Sequence, residues 1–209
     1  MLDFSALRIP DEWDILIGMD TGTFLSAVFV AISPDPYEAI VLAEFPNYRY
    51  VGDGTIELLG QSISQWTDTV RAAWHQLRPG EKVKAWCDQN TQFLVEFLHH
   101  GVILQRNPRQ LEVRTEIARE YFQHDKIWLA PWLQVLPFEL QHARWPSDVN
   151  ALGHYRRLKE KDHTLDTLEH VLSRRPRSAR LREGTRKQSF AEQWIAQHRS
   201  PLVQHSDTH

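Results

Sequence analysis

Ile15-Leu16-Ile17-Gly18-Met19-Asp20-Thr21-Gly22 is an apolar run that ends on a carboxylate just where a glycine-bearing turn begins. A short apolar run bounded by turn residues reads as a buried strand, here Ile15 to Met19, so Asp20 is expected at the strand's end, on the edge of a sheet. Phe24 to Ile32 reads as a longer second strand with Ser26 its only polar member, and Ser33-Pro34-Asp35-Pro36 breaks it. Ala39 to Phe45 gives a third. Three apolar strands joined by short turns make an antiparallel meander.

Beyond it, a polar, glycine-bearing stretch from Asn47 to Gly60 reads as a connection. A helix follows, in which Ile63, Trp66, Val70, Ala73 and Leu77 keep helical spacing until Arg78-Pro79-Gly80 stops it. Lys82 to Cys87 alternates as a strand should and ends at Asp88. Thr91 to His100 fits a helix ended by Gly101, and Val102 to Gln105 a fifth strand. A strand, helix and strand in that order imply parallel neighbours. Further helices are expected over about Leu111 to Phe122 and, opened by Pro137 near its first turn, up to Trp145-Pro146, with a short Ile127-Trp128-Leu129 segment between them. Residues 147 to 161 read as a loop or hairpin ending in Tyr155-Arg156-Arg157-Leu158-Lys159-Glu160-Lys161. A last strong helix starts at about Asp162, its stripe made by Leu165, Leu168, Val171 and Leu172, with Asp162 placed as its N-cap. From Arg174 on, the Arg-, Lys- and Ser-rich sequence suggests a mobile tail in which Phe190 to Ala196 fits one short helix.

The chain's 209 residues, 42% hydrophobic and 24% charged, suffice for one globular domain with its own core. No run approaches 18 apolar residues, and the acidic start from Met1 to Asp14 is unlike a secretory signal, so a cytoplasmic protein without membrane contact is expected. Cys87 is the single cysteine, which excludes an internal disulfide and a cysteine-based zinc cluster, and it reads as a buried thiol. Charge is uneven: residues 1 to 150 hold 12 Lys and Arg against 20 Asp and Glu, whereas residues 151 to 209 hold 12 against 7. A basic last quarter suits either a polyanion partner or a solvated tail.

Asp20, Asp88 and Asp162 thus stand at the ends or starts of separate elements, and His163 and Asp166 follow Asp162 on one helix. Taken singly, each acid has a plainer role as turn former or cap. Together they offer the all-oxygen ligands that Mg²⁺ or Mn²⁺ prefers, in the arrangement that phosphodiester cleavage by two ions needs. His163 is open to three readings, as ligand, proton shuttle or exposed side chain.

This order resembles the ribonuclease H-like nuclease domain of the phage terminase large subunit. The likeness runs over roughly residues 12 to 174 and is carried by Ile17-Gly18-Met19-Asp20-Thr21-Gly22, by Trp86-Cys87-Asp88 and by Lys161-Asp162-His163-Thr164-Leu165-Asp166-Thr167-Leu168. Glu139-Leu140 followed by Trp145 is similar to the family's segment before its last basic hairpin. The resemblance implies an α/β fold with a central mixed sheet, antiparallel strands then parallel ones, flanked by helices. It implies nuclease chemistry on double-stranded DNA with two Mg²⁺ or Mn²⁺ ions, Asp20 bridging them and Asp88, Asp162 and Asp166 completing the shells with His163. Either Asp162 or Asp166 fits the third direct ligand, and Asp162 is favoured because it comes straight from the preceding segment. DNA contacts fall to Arg156, Arg157, Lys159 and Lys161, and a packaging ATPase, a portal and a small terminase subunit are the implied partners. A viral member would act in the host cytoplasm. No Gly-rich phosphate loop of the packaging ATPase occurs here, and Thr167 and His170 depart from the family's pattern. On this reading residues 1–174 form the nuclease domain and 175–209 the basic tail. Two other readings share these residues: a ribonuclease H-like DNA-binding module in which the acids serve only as caps, and a fragment of an actin- or Hsp70-like ATPase, whose first phosphate loop Gly18-Met19-Asp20-Thr21-Gly22-Thr23 resembles.

Overall fold

The computed structural model describes residues 4, 7–34, 38–88, 91–108, 110–143, 161–174 and 190–198. The chain opens with β1 (Asp14–Thr21), β2 (Leu25–Ile32) and β3 (Ala39–Glu44), each antiparallel to the last. Every residue of β2 is buried, as an interior strand covered on both faces requires. β4 (Tyr48–Val51) and β5 (Thr55–Leu58) then form a separate two-stranded hairpin, so part of the stretch read as a plain connection is a hairpin. Its strands are four residues long and mostly solvent-facing, which leaves no burial periodicity to read. Its turn depends on Gly52 and Gly54, both at positive φ.

α1 (Ile63–Leu77) starts on a capping box in which Ser62 and Gln65 bond each other's backbone amides. β6 (Val83–Cys87), α2 (Thr91–His99) and β7 (Val102–Arg106) form the expected parallel crossover. α3 (Leu111–Gln123), β8 (Ile127–Leu129), α4 (Val135–His142) and α5 (His163–Leu172) follow, then α6 (Phe190–His198). The six-stranded sheet has the order β7-β6-β1-β2-β3-β8, antiparallel at its centre and parallel toward both edges.

Strand alternation distributes the core. Ile17 and Phe29 pair across β1 and β2, and Phe29 meets Trp74 of α1 edge-on. Gly18 and Val28, one step along, face the opposite side, where α5 lies across β1 and β2 with α3 and α4 against it. α5 is buried almost all round, which marks it as the central helix of that layer. α6 is longer than the short helix expected and is seated on the domain: Ala191 and Trp194 are buried, and Trp194 packs on Trp132. Among the described residues no helix is long and apolar enough to cross a membrane.

Candidate active site

The parallel pairing of β1 with β6 aligns Gly18 with Trp86. Carried two residues further, that register brings Asp20 level with Asp88, on strands spaced about 4.8 Å apart as in any sheet. The crevice beyond the carboxyl ends of such strands is where open α/β sheets bind ligands. The opposing wall is α5, which approaches β1 closely because Gly18 has no side chain. A Cβ there would overlap the Thr167 carbonyl oxygen and lie 2.7 Å from Val171 Cγ2. The helix start therefore reaches the same edge. The result is a cleft of about 200 Å³ lined by Asp20, Asp88, Asp162 and Asp166, with Lys161, His163 and His170 completing its wall.

Four carboxylates this close need compensation, and the structure supplies it in pairs. Asp20 accepts from the Gly22 amide at 3.1 Å and faces His163 Nδ1 at 3.5 Å. Burial pulls the His163 pKa down, but Asp20, then Glu139 and Asp162, more than offset it, so the imidazole holds its proton above the ordinary histidine value. Its ring also packs on Phe24 and edge-on to Tyr48. Asp88, though its side chain is 70% exposed, accepts from buried Arg114 at 2.8 Å and lies 3.4 Å from His170 Nε2. Burial and then the Arg114 guanidinium push His170 down to about 4. The ring is thus neutral near pH 7 and offers a nitrogen lone pair to Arg114 Nη1. Cys87 is buried as expected, and burial with the neighbouring Asp88 and Asp20 pushes its thiol up to about 12, which excludes it as a nucleophile near neutral pH.

Among the described residues no three acidic, histidine or cysteine groups converge tightly enough to hold one cation as they are placed. The pairings explain this, since Asp20 is turned toward Gly22 and His163 and Asp88 toward Arg114. The donor chemistry is nonetheless that of a hard divalent ion: four carboxylates, with the imidazoles of His163 and His170 beside them.

All five expected site acids and histidines, Asp20, Asp88, Asp162, His163 and Asp166, line this one cleft. The capping role expected of Asp162 is corrected. It occupies the N-cap position of α5, and its carbonyl accepts from the Asp166 amide at 2.8 Å, but its side chain makes no capping bond. The carboxyl is buried at the cleft instead. Arg156, Arg157 and Lys159 lie outside the described residues. Lys161 is at the cleft mouth, with Nζ 3.4 Å from the Asp53 carbonyl oxygen of the β4–β5 turn.

Two residues that bear on the site had no sequence signal as site residues. Arg114 sits on α3, an ordinary charged position by pattern, yet it is buried and holds Asp88. Glu139 is fully buried on α4, where Tyr48 and Tyr50 donate to one carboxylate oxygen and the Leu165 amide of α5 to the other. Burial, only partly offset by these donors, pushes Glu139 up to about 7. The remaining link is Thr164, whose hydroxyl meets both Tyr48 (2.8 Å) and Ser26 (2.9 Å).

No protein-family model and no curated protein sequence matches the chain. Its fold does match solved structures. The nuclease domain of the large terminase g2p from bacteriophage SPP1, solved with bound Mn, aligns at a TM-score of 0.57 and 14% identity over 82% of this chain and 89% of that one. The P22 large terminase nuclease domain aligns at 0.59 and 10% identity over 78% and 81%. The large terminase of a thermophilic bacteriophage, in complex with ADP, aligns at 0.58 and 10% identity, with 82% of this chain spanning 44% of that protein. The chain thus has the ribonuclease H-like fold of terminase nuclease domains.

Proposed function

We propose that this domain is a metal-dependent endonuclease acting on double-stranded DNA with little sequence preference, in the manner of a genome-packaging terminase. The observation that carries the reading is the meeting of Asp20, Asp88, Asp162 and Asp166 in one cleft at the carboxyl ends of parallel strands. Asp20, on the central strand, would hold a pair of Mg²⁺ or Mn²⁺ ions together with Asp88 and Asp162 or Asp166. Such ions, when bound, make water a nucleophile at neutral pH and stabilise charge on the phosphate and on the leaving oxygen. The protein's own groups prepare the place. His163 holds its proton against Asp20 and fixes that carboxylate's direction. Arg114 and the neutral His170 hold Asp88. Lys161, together with Arg156, Arg157 and Lys159, supplies positive charge for the DNA backbone, contacts that confer affinity without sequence preference.

On this reading the partners would be those that the sequence resemblance implies, a packaging ATPase, a portal and a small terminase subunit, in the cytoplasm of an infected host. A Mn²⁺-soaked crystal tests the site. Anomalous density touching Asp20 and Asp162 is expected. Density joined to Asp166 and not to Asp162 would reverse the order of ligands, and density remote from Asp20 would remove the assignment.

A further inference from the structure

The first amides of a helix need acceptors, and the N-cap side chain ordinarily supplies one. In α5 it does not, because the Asp162 side chain makes no capping bond. The Leu165 amide, the third of the helix, instead donates to Glu139 Oε2 at 2.8 Å, from a residue 26 positions earlier on α4. Glu139 is 0% exposed, and its other oxygen is held by Tyr48 at 2.7 Å and Tyr50 at 2.9 Å, so its direction is fixed from the β4–β5 hairpin. The helix that carries Glu139 is anchored in the same manner. Glu44 of β3 accepts from the amides of Gln134 (2.5 Å), Val135 (2.7 Å) and Leu136 (2.7 Å) at the start of α4. Two glutamates thus run in series from the sheet to the cleft, Glu44 seating α4 and Glu139 of α4 seating α5.

We infer that Glu139 is a positioning residue of the cleft: it caps α5 from a neighbouring helix, so that the Asp162 carboxylate serves the cleft rather than its own helix and His163 and Asp166 enter at a fixed angle. The inference deepens the metal-dependent reading and rests on it. What matters in Glu139 is the reach of its oxygen to the Leu165 amide, since Gln presents a carbonyl oxygen at the same distance while Asp keeps the charge one methylene short. Carboxylate charge and capping geometry can therefore be separated by substitution.

The test compares the wild-type protein with Glu139→Gln and Glu139→Asp by three measurements: amide hydrogen exchange at Leu165, calorimetric titration with Mn²⁺ alone, and thermal unfolding. Leu165 should be protected in the wild type, and an amide that exchanges as freely as an unbonded one overturns the inference whether or not the variants fold. Glu139→Gln should keep that protection and bind Mn²⁺ like the wild type. Glu139→Asp should lose the protection and bind Mn²⁺ about 10- to 100-fold more weakly, the usual penalty for disturbing a group that orients a metal ligand. The reverse pattern, Asp tolerated and Gln not, would mean that charge matters rather than reach and would overturn the inference, as would two variants that bind like the wild type. A wild-type protein that binds no Mn²⁺ would sink the metal reading, while the Leu165 exchange pattern would still decide whether Glu139 is the cap.

Discussion

Glu139 has no access to solvent, and its acid form is favoured there, with a pKa of about 7. A carboxyl whose folded pKa lies above its unfolded one binds its proton more tightly when folded. Its stabilising contribution is therefore full below the unfolded value and is lost as pH rises through about 7. Glu139→Gln has no proton to lose, so relative to the wild type it should gain about 1–3 kcal/mol as the pH is raised from about 5 to about 8. Denaturant titrations of the two proteins across that range measure it, and a constant difference would contradict the burial argument. The neighbouring residues divide by what could be read in advance. Asp20, Asp88, Asp162 and Asp166 were legible because each falls where an apolar run stops or a helical stripe starts. Arg114 and Glu139 were not, because their meaning lies in partners 26 positions away at Asp88 and at Leu165, and 91 away at Tyr48.

At the scale of elements, the cleft depends on how closely α5 approaches β1. Gly18 permits that approach, and Asn107 fixes the far end of the helix by donating to the His170 carbonyl at 2.9 Å and to Ser173 Oγ at 2.8 Å. Gly18→Ala should force strand and helix apart, because the added methyl meets the Thr167 carbonyl, a backbone atom that cannot rotate aside. The expected cost is about 1–3 kcal/mol, as for other overpacked interiors. Urea unfolding reads it directly, and an unchanged midpoint would mean that α5 is not seated where the structure has it. The main-sheet strands and α5 were legible since they carry either unbroken apolar runs or a stripe at helical spacing. The β4–β5 hairpin was not, because a two-stranded ribbon open to solvent shows no buried face. Asp162 takes the N-cap position as expected, but that its side chain makes no capping bond was hidden for a related reason. Capping patterns are local, and the acceptor for this helix comes from α4.

Over the whole molecule, an acidic cleft is combined with a basic last quarter of the sequence, residues 151 to 209 carrying 12 Lys and Arg against 7 Asp and Glu. An acidic cleft repels DNA unless positive charge holds the duplex against it, so affinity should fall steeply with added salt. Replacing Arg156 and Arg157 together by Ala should weaken binding to unrelated duplexes about equally and flatten the salt slope. Loss confined to one sequence, by fluorescence anisotropy, would assign the segment another task. The fold class and the gathering of acids followed from the order of elements, since the meander places β1 centrally and the crossover sets β6 beside it. The seating of α6 did not, as nothing in Phe190 to His198 names Trp132 as its partner. We propose that the cleft cuts DNA through carboxylate-held metal ions. It is tested most directly by incubating supercoiled plasmid with the wild-type protein and with Asp20→Asn, each in Mn²⁺ and in EDTA, with melting curves to establish that both are folded. Nicked and linear plasmid are expected with the wild-type protein in Mn²⁺ alone, and cleavage lower by orders of magnitude with a folded Asp20→Asn. Cutting that persists in EDTA, or a folded Asp20→Asn that cuts like the wild type, would contradict it.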